Sequence, residues 1–199
     1  EVPASRMFDE MVKLLQTGHG GASLATLREY QLAHCFPLLT SLIDGTAPPA
    51  QQKLVDAALK DTDARVEEGR SVAPSFLLAC VLWHEVSQRW QAARAQGAHV
   101  VPALQDAIDA VFDKRIGDIS GRGKLGADMR DIWLMQPRFE RRSGSGPQAL
   151  VEQPRFRAGY DFLRLRADIG EIDVALADWW DDFALGSDEE REAMLAEQR

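Results

Sequence analysis

Apolar residues recur at spacings of three and four along almost the whole chain, and the β-branched alternation of a half-buried strand is nearly absent. That periodicity predicts an all-α protein, a compact multi-helix bundle of about 8 to 10 helices with no significant sheet. The first helix is expected over about residues 5–17, with Ser5 as its cap, a stripe of Met7, Phe8, Met11, Leu14 and Leu15, and Gly18 as its stop. After a Gly-rich turn at 18–21, a second helix carries Leu24, Leu27 and Leu32 and extends toward Cys35. Pro37 then marks a boundary before a short piece through Ile43. DGTAPP at 44–49 reads as a loop, and Gln51 to Val66 as an amphipathic helix ending near Gly69. Pro74 sits in the first turn of the longest apolar helix, SFLLACVLWHEVSQRW, whose broad apolar faces mark it as the central buried one. Pro102 opens a helix with Leu104, Ile108, Val111 and Phe112. GDISGRGKLGAD then interrupts the pattern, and its glycines place a connection or subdomain boundary near 117–126, dividing 1–117 from 118–199 unless the two form one continuous domain. Helices follow over about 125–139, 154–167 and 172–183, and SDEEREAMLAEQR predicts a final solvated helix.

At 100° per residue, Met129, Ile132 and Trp133 fall on one side of their helix. Arg130, Arg138 and Arg141 fall together on the other if the helix persists past Pro137. In the next long helix Phe156, Tyr160 and Leu163 make the core stripe, flanked by Arg157 and Arg164 on one side and by Arg155 and Arg166 on the other. Trp133 and Tyr160 therefore read as core rather than as platforms for stacking bases. The arginines admit two readings. Interspersed acids, as in Arg130 with Asp131, Glu140 with Arg141 and Asp161 with Arg164, suit an ordinary solvated face with i,i+3 pairs. A crowd of guanidinium groups also suits a phosphate backbone, which the planar fork binds bidentately.

Charge sharpens the second reading. The chain carries a net charge of -8, yet from Lys114 to Arg166 there are 12 basic against 6 acidic residues. Fields are local beyond a Debye length of about 8 Å in physiological salt, so one cationic face can hold a polyanion on an acidic protein. The 199 residues are enough for a substantial core, and 45% hydrophobic with 27% charged residues is ordinary globular composition. Cys35 and Cys80 lie in apolar surroundings without a CxxC pairing, so both are expected as buried free thiols in a reducing, cytoplasmic setting. No apolar run approaches the roughly 18 residues of a membrane span. The start at Glu1 without methionine suggests a piece of a longer chain.

Other constellations carry little chemistry. Asp61 and Asp63 form a DxD, but KDTDARVEEG ends a helix. His84 beside Glu85 lacks the second histidine of a zincin motif, and His19, His34 and His99 are scattered, so no metal site is expected. Neither cysteine has a histidine in sequence that supports nucleophilic catalysis, and the glycine stretches lack the Lys-Ser/Thr ending of a P-loop. No catalytic residue is assigned.

RDIWLMQPRFERR from Arg130, LVEQPRFRAGYDFLRLRA from Leu150 and ADWWDDF from Ala177 resemble the C-terminal helical region of bacterial poly(A) polymerase, a member of the nucleotidyltransferase superfamily of the CCA-adding enzymes. The same family is matched upstream by SRMFDEMVKLLQTGHG, LREYQLAHCFPLL, LKDTDARV and PSFLLACVLWHEV, so the resemblance covers nearly the whole chain. It implies the end of the neck and a helical body up to residue 117, then a C-terminal RNA-binding region. The catalytic head, with a Gly-Ser turn and paired aspartates holding Mg²⁺, would lie before Glu1, and the piece alone would be inactive. The implied activity is ATP-dependent addition of AMP to single-stranded RNA 3′ ends, linked to RNA decay, with ATP and Mg²⁺ serving the full-length parent. The implied RNA contacts are Arg130, Arg138, Arg141, Arg142, Arg155, Arg157 and Arg164. Arg6 and Glu10 match a helix near the nucleotide pocket, or equally an i,i+4 ion pair. SGSGPQ from Ser143 stands where relatives continue with basic residues, and the tail is acidic where they are Arg-rich, so fewer phosphate contacts are expected. Two alternatives remain: a scaffold docking an RNA helicase or RNA-decay proteins through DWWDDF and SDEERE, with one of Trp179 and Trp180 partly exposed, or the body of a tRNA CCA-adding enzyme.

Overall fold

The computed structural model describes residues 3–115 and 123–199, and over them every regular element is helical. Eleven α-helices are described: α1 (Ala4–Gln16), α2 (Gly20–Glu29), α3 (Thr40–Asp44), α4 (Pro49–Glu67), α5 (Pro74–Ala95), α6 (Val100–Lys114), α7 (Gly123–Phe139), α8 (Gly146–Val151), α9 (Phe156–Asp168), α10 (Val174–Leu185) and α11 (Asp188–Ala196). The chain divides into two compact units, Glu1–Met129 and Arg130–Arg199. The boundary expected near 117–126 lies in part outside the described residues.

In the first unit α5 is the central helix, packed against both α4 and α6. Phe76 through Trp83 are all buried, so the helix is apolar around its whole circumference and needs neighbours on every side. Pro74 starts it, where the missing N–H costs nothing. Two long-range side-chain bonds fix its neighbours. Gln51 Nε2 donates to Val81 O at 3.0 Å, and Trp90 Nε1 to Val100 O at 3.0 Å. α6 begins two residues before Pro102, at Val100. α1 is strongly amphipathic and buries Met11 and Leu15, but it begins at Ala4 and Ser5 is not its cap.

The turn after α1 depends on glycine. Gly18 has φ +86°, and a Cβ there would stand 2.9 Å from Val66 Cγ1 of α4. The second helix is shorter than its apolar residues suggested. It ends at Glu29, Gln31 takes φ 56°, and Ala33–Cys35 forms a separate 3₁₀ turn. Leu32 is consequently exposed and Cys35 only half-buried, whereas Cys80 is fully enclosed by α5 and its neighbours. The expectation of two buried thiols thus holds for Cys80 alone, because the broken helix turns Cys35 outward.

In the second unit one aromatic core collects Met135 and Phe139 of α7, Leu150 of α8, Phe156, Tyr160 and Leu163 of α9, and Trp180 and Phe183 of α10. Phe139 and Trp180 meet edge-on with ring centroids 5.1 Å apart. Pro137 lies inside α7, which ends two residues later. The terminal carbonyl of Phe139 accepts a 2.8 Å bond from the buried Trp180 indole N–H, which satisfies a helix-end acceptor that water cannot reach. At the end of α10 Arg191 does the same work, donating to Phe183 O at 2.8 Å and Ala184 O at 2.9 Å. Its Nη1 also reaches Gln148 Oε1 of α8 at 3.1 Å. A guanidinium at a helix C-terminus both fills orphan carbonyls and meets the negative end of the dipole.

Candidate nucleic-acid interface

The arginine-rich stretch does not emerge as one uniform surface. Tertiary packing sorts its guanidinium groups into three kinds. Arg166, expected on a flank of α9, is buried at 6% exposure. Its Nη1 donates to Gln136 Oε1 at 3.0 Å, and its Nε lies 3.3 Å from Glu171. Burial pulls its pKa below the ordinary arginine value, while the charges of Glu171 and Glu140 oppose that shift. Arg166 belongs to the core.

Arg164 and Arg157 are of a second kind, arranged around Tyr160. Arg164 donates to the Tyr160 hydroxyl from Nε at 3.1 Å and from Nη2 at 2.9 Å, and to Asp178 at 2.9 Å. Partial burial works against its charge, but these bonds to Tyr160 and Asp178 outweigh it and hold its pKa above the ordinary value. Arg157 lies over the Tyr160 ring, 5.1 Å from its centroid, and pairs with Asp161 at 3.3 Å. Asp161 therefore pairs at i,i+4 with Arg157, and the pairing expected with Arg164 is replaced by Asp178 from α10. Burial raises the Tyr160 pKa against the opposing bonds from Arg164. The ring is core, as its place in the apolar stripe required.

The third kind lies at least partly at the surface. Arg138 and Arg141 are exposed, and Arg130, Arg142 and Arg155 are half-buried. Arg141 does not continue the helical arc of Arg130 and Arg138, because α7 stops at Phe139. Arg141 sits in the following turn, its backbone N–H bonded to Arg138 O at 3.2 Å. Gly146 to Gln148 of SGSGPQ open α8 (Gly146–Val151), with Pro147 in its first turn, so the segment is helical in part while adding no basic side chain.

One depression gathers part of this third set. It has a volume of about 330 Å³ and lies between α7 and the turn before α9, lined by Asp131, Leu134, Met135, Arg138, Gln153, Pro154 and Arg155. The α7 residues occur at i, i+3, i+4 and i+7, a single stripe about 10 Å long. Arg155 Nε stands 4.0 Å from Asp131 Oδ2. Arg138 and Arg155 were named from the sequence, but Asp131, Leu134, Met135, Gln153 and Pro154 were not grouped with them, although the stripe Asp131–Leu134–Met135–Arg138 is visible once α7 is accepted.

In the other unit Arg6 and Glu10 are exposed on α1, and Glu10 pairs with Lys13 at 3.5 Å. Trp180 is buried and Trp179 lies half-buried, stacked on Phe183 with centroids 5.0 Å apart. Among the described residues no three His, Cys, Asp or Glu side chains converge as metal donors, and Asp61 of the DxD is engaged by Arg65 at 3.0 Å. The described residues do not fit a Mg²⁺ site. No helix among them is long and apolar enough to cross a membrane.

Helical packing defines the class: over the described residues this is an all-helical protein. Residues 96–199 match the family described as polymerase A arginine-rich C-terminus, and residues 1–43 match the one described as probable RNA and SrmB-binding site of polymerase A. The chain belongs to the polymerase A arginine-rich C-terminus family. It is 33% identical over 203 residues to poly(A) polymerase I of Haemophilus influenzae, an alignment that covers 100% of this chain and 44% of that relative. It is 33% identical over 201 residues to poly(A) polymerase I of Salmonella typhi, covering 99% and 43%, and 32% identical over 202 residues to that of Escherichia coli O157:H7, again covering 99% and 43%. The chain thus spans less than half the length of these curated relatives.

Proposed function

We propose that this chain is the RNA-gripping helical part of an enzyme that adds AMP from ATP to single-stranded RNA 3′ ends. The observation that carries the reading is the groove in which Arg138 and Arg155 flank an apolar floor, within a family whose relatives are named poly(A) polymerases. Arginine forks bind phosphate oxygens bidentately, and each neutralised phosphate releases counterions, so affinity falls with salt. Arg130, Arg141, Arg142 and Arg157 extend the cationic surface, and Arg164 contributes its charge while anchored to Tyr160 and Asp178. ATP and Mg²⁺ serve the full-length parent, where Arg6 and Glu10 of α1 stand near the nucleotide. No catalytic step is assigned to the described residues. The relatives' names favour polyadenylation over CCA addition.

A second surface suits a protein partner. The family matched by residues 1–43 is described as a probable RNA and SrmB-binding site, which favours a partner on α1 and α2, while the acidic first turn of α11, with Asp188, Glu189 and Glu190, is a separate patch. RNA-decay partners, a helicase among them, would dock on the α1 and α2 region. The setting is cytoplasmic.

Fluorescence anisotropy with a labelled single-stranded RNA 12-mer tests the main reading. Binding is expected at low salt with a steep log–log salt slope, and Arg138→Ala and Arg155→Ala each flatten that slope by about one. Absence of binding at low salt overturns it.

A further inference from the structure

We propose that the groove between α7 and the turn before α9 seats one nucleotide of single-stranded RNA and selects bases that carry an exocyclic amine over uracil. The inference rests on the RNA-binding reading above and deepens it. A groove built only to hold phosphate has no use for a carboxylate, since a like charge beside the ligand repels it. Yet Asp131 lines this one, together with Arg138 and Arg155.

Nor is Asp131 consumed by the fold. Its side chain is 57% exposed, and at 4.0 Å its approach to Arg155 is an ion pair too long for a hydrogen bond. An exposed pair of that length contributes little to stability. The carboxylate oxygens therefore remain as acceptors in the lining of the groove, near Arg155.

The stripe on α7 gives the nucleotide its direction. Arg138 stands at one end and Asp131 at the other, seven residues and about 10 Å apart along the helix. Leu134, the buried Met135 and Pro154 form the apolar floor between them. The phosphate lies at Arg138, the base covers the floor, and its Watson–Crick edge meets Asp131. The volume of about 330 Å³ falls at the lower end of the range for small-ligand pockets, which is roughly 300 to 1,000 Å³, and suits one nucleotide rather than a duplex. Single-stranded RNA is read in this way, with unstacked bases bonded on their edges.

An ionised carboxylate only accepts hydrogen bonds. Cytosine offers its N4 amine, a recognised partner of Asp and Glu, and adenine and guanine offer amines of the same kind. Uracil presents a carbonyl oxygen where cytosine has N4, and its one donor on that edge, N3–H, lies between two carbonyl oxygens that repel the carboxylate. Gln153 lines the same groove, and its amide can either donate or accept, so it completes whichever edge is present.

Cytosine and uracil have the same ring size, so oligo(C) and oligo(U) 12-mers isolate the amine. With the full chain at low salt, C12 is expected to bind about tenfold more tightly than U12. Asp131→Ala brings the two within about twofold of each other and tightens both, because a negative charge leaves the groove. Asp131→Asn keeps the size, can donate to the uracil carbonyl, and likewise abolishes the preference. Arg138→Ala weakens C12 and U12 alike. Equal binding of C12 and U12 to the unaltered chain, or a preference that survives both Asp131 variants, overturns this inference while leaving RNA binding intact. Failure of both strands to bind at low salt overturns the RNA-binding reading itself.

Discussion

Arg166 of α9 donates a 3.0 Å hydrogen bond to Gln136 Oε1 of α7, thirty residues away, and both side chains are buried. Gln136 in turn donates to Ile132 O at 2.9 Å and Gly159 O at 3.2 Å. One amide thus joins the two arginine-rich helices from the inside, and Glu171 balances the buried charge.

Arg166→Met is therefore expected to destabilise the protein by about 3 kcal/mol, since it leaves Gln136 and Glu171 facing an apolar side chain. RNA affinity and its salt slope stay unchanged at a temperature where the variant is folded. Denaturant melts paired with anisotropy titrations check both halves. A loss of salt slope equal to that of Arg138→Ala would instead place Arg166 on the RNA.

Gly159 allows α7 and α9 to approach closely. A Cβ at that position would overlap Met135 Sδ. Gly159→Ala is expected to change stability by less than about 1 kcal/mol, since Met135 Sδ is the end of a flexible side chain that can turn aside and alanine favours the helix over glycine by about 1 kcal/mol. Because Met135 floors the groove, C12 binding should weaken. Met135→Ala should cost less in the Gly159→Ala background than alone, a coupling that a double-mutant cycle by thermal melting measures.

Trp180→Phe keeps most of the ring packing but removes the 2.8 Å bond to Phe139 O. The carbonyl at the end of α7 is then buried without a donor, which costs about 1 to 3 kcal/mol. Urea midpoints against the unaltered chain read the loss, and a change below about 0.5 kcal/mol would mean that another donor reaches that carbonyl.

Of the two thiols, half-buried Cys35 is expected to react with a thiol reagent in the folded protein and Cys80 only on unfolding. Burial, with a smaller contribution from Asp61, pushes the Cys80 thiol far above its ordinary value of 9.0. The unfolded chain therefore loses this proton first. The stabilisation is whole below pH 9 and falls by about 1.4 kcal/mol per pH unit above it. Cys80→Ala should flatten the stability profile between pH 9 and 10 relative to the unaltered chain, as chemical denaturation at each pH would show.

Much of the helical framework was legible in the sequence. Three-and-four periodicity placed α1, α4, α5, α7, α9 and α10 to within a few residues, because an amphipathic helix must write its buried face into the chain. Phe156, Tyr160 and Leu163 were readable as core for the same reason. α8 was not, because six residues beginning Gly-Pro give no full period. The end of the second helix at Glu29 was hidden as well, since apolar Leu32 continued the pattern past it.

The sequence by itself thus determined which segments coil, which faces are apolar, the local excess of guanidinium charge and the family resemblance. Only the tertiary structure decided what each arginine does. Arg166, Arg164, Arg191 and Arg138 are chemically the same side chain, yet one is sealed against Gln136, one braces Tyr160, one caps α10 and one faces solvent. Their partners come from 4 to 43 residues away. A guanidinium's role is set by desolvation and by the acceptors brought beside it, and those are properties of the packed chain rather than of the residue.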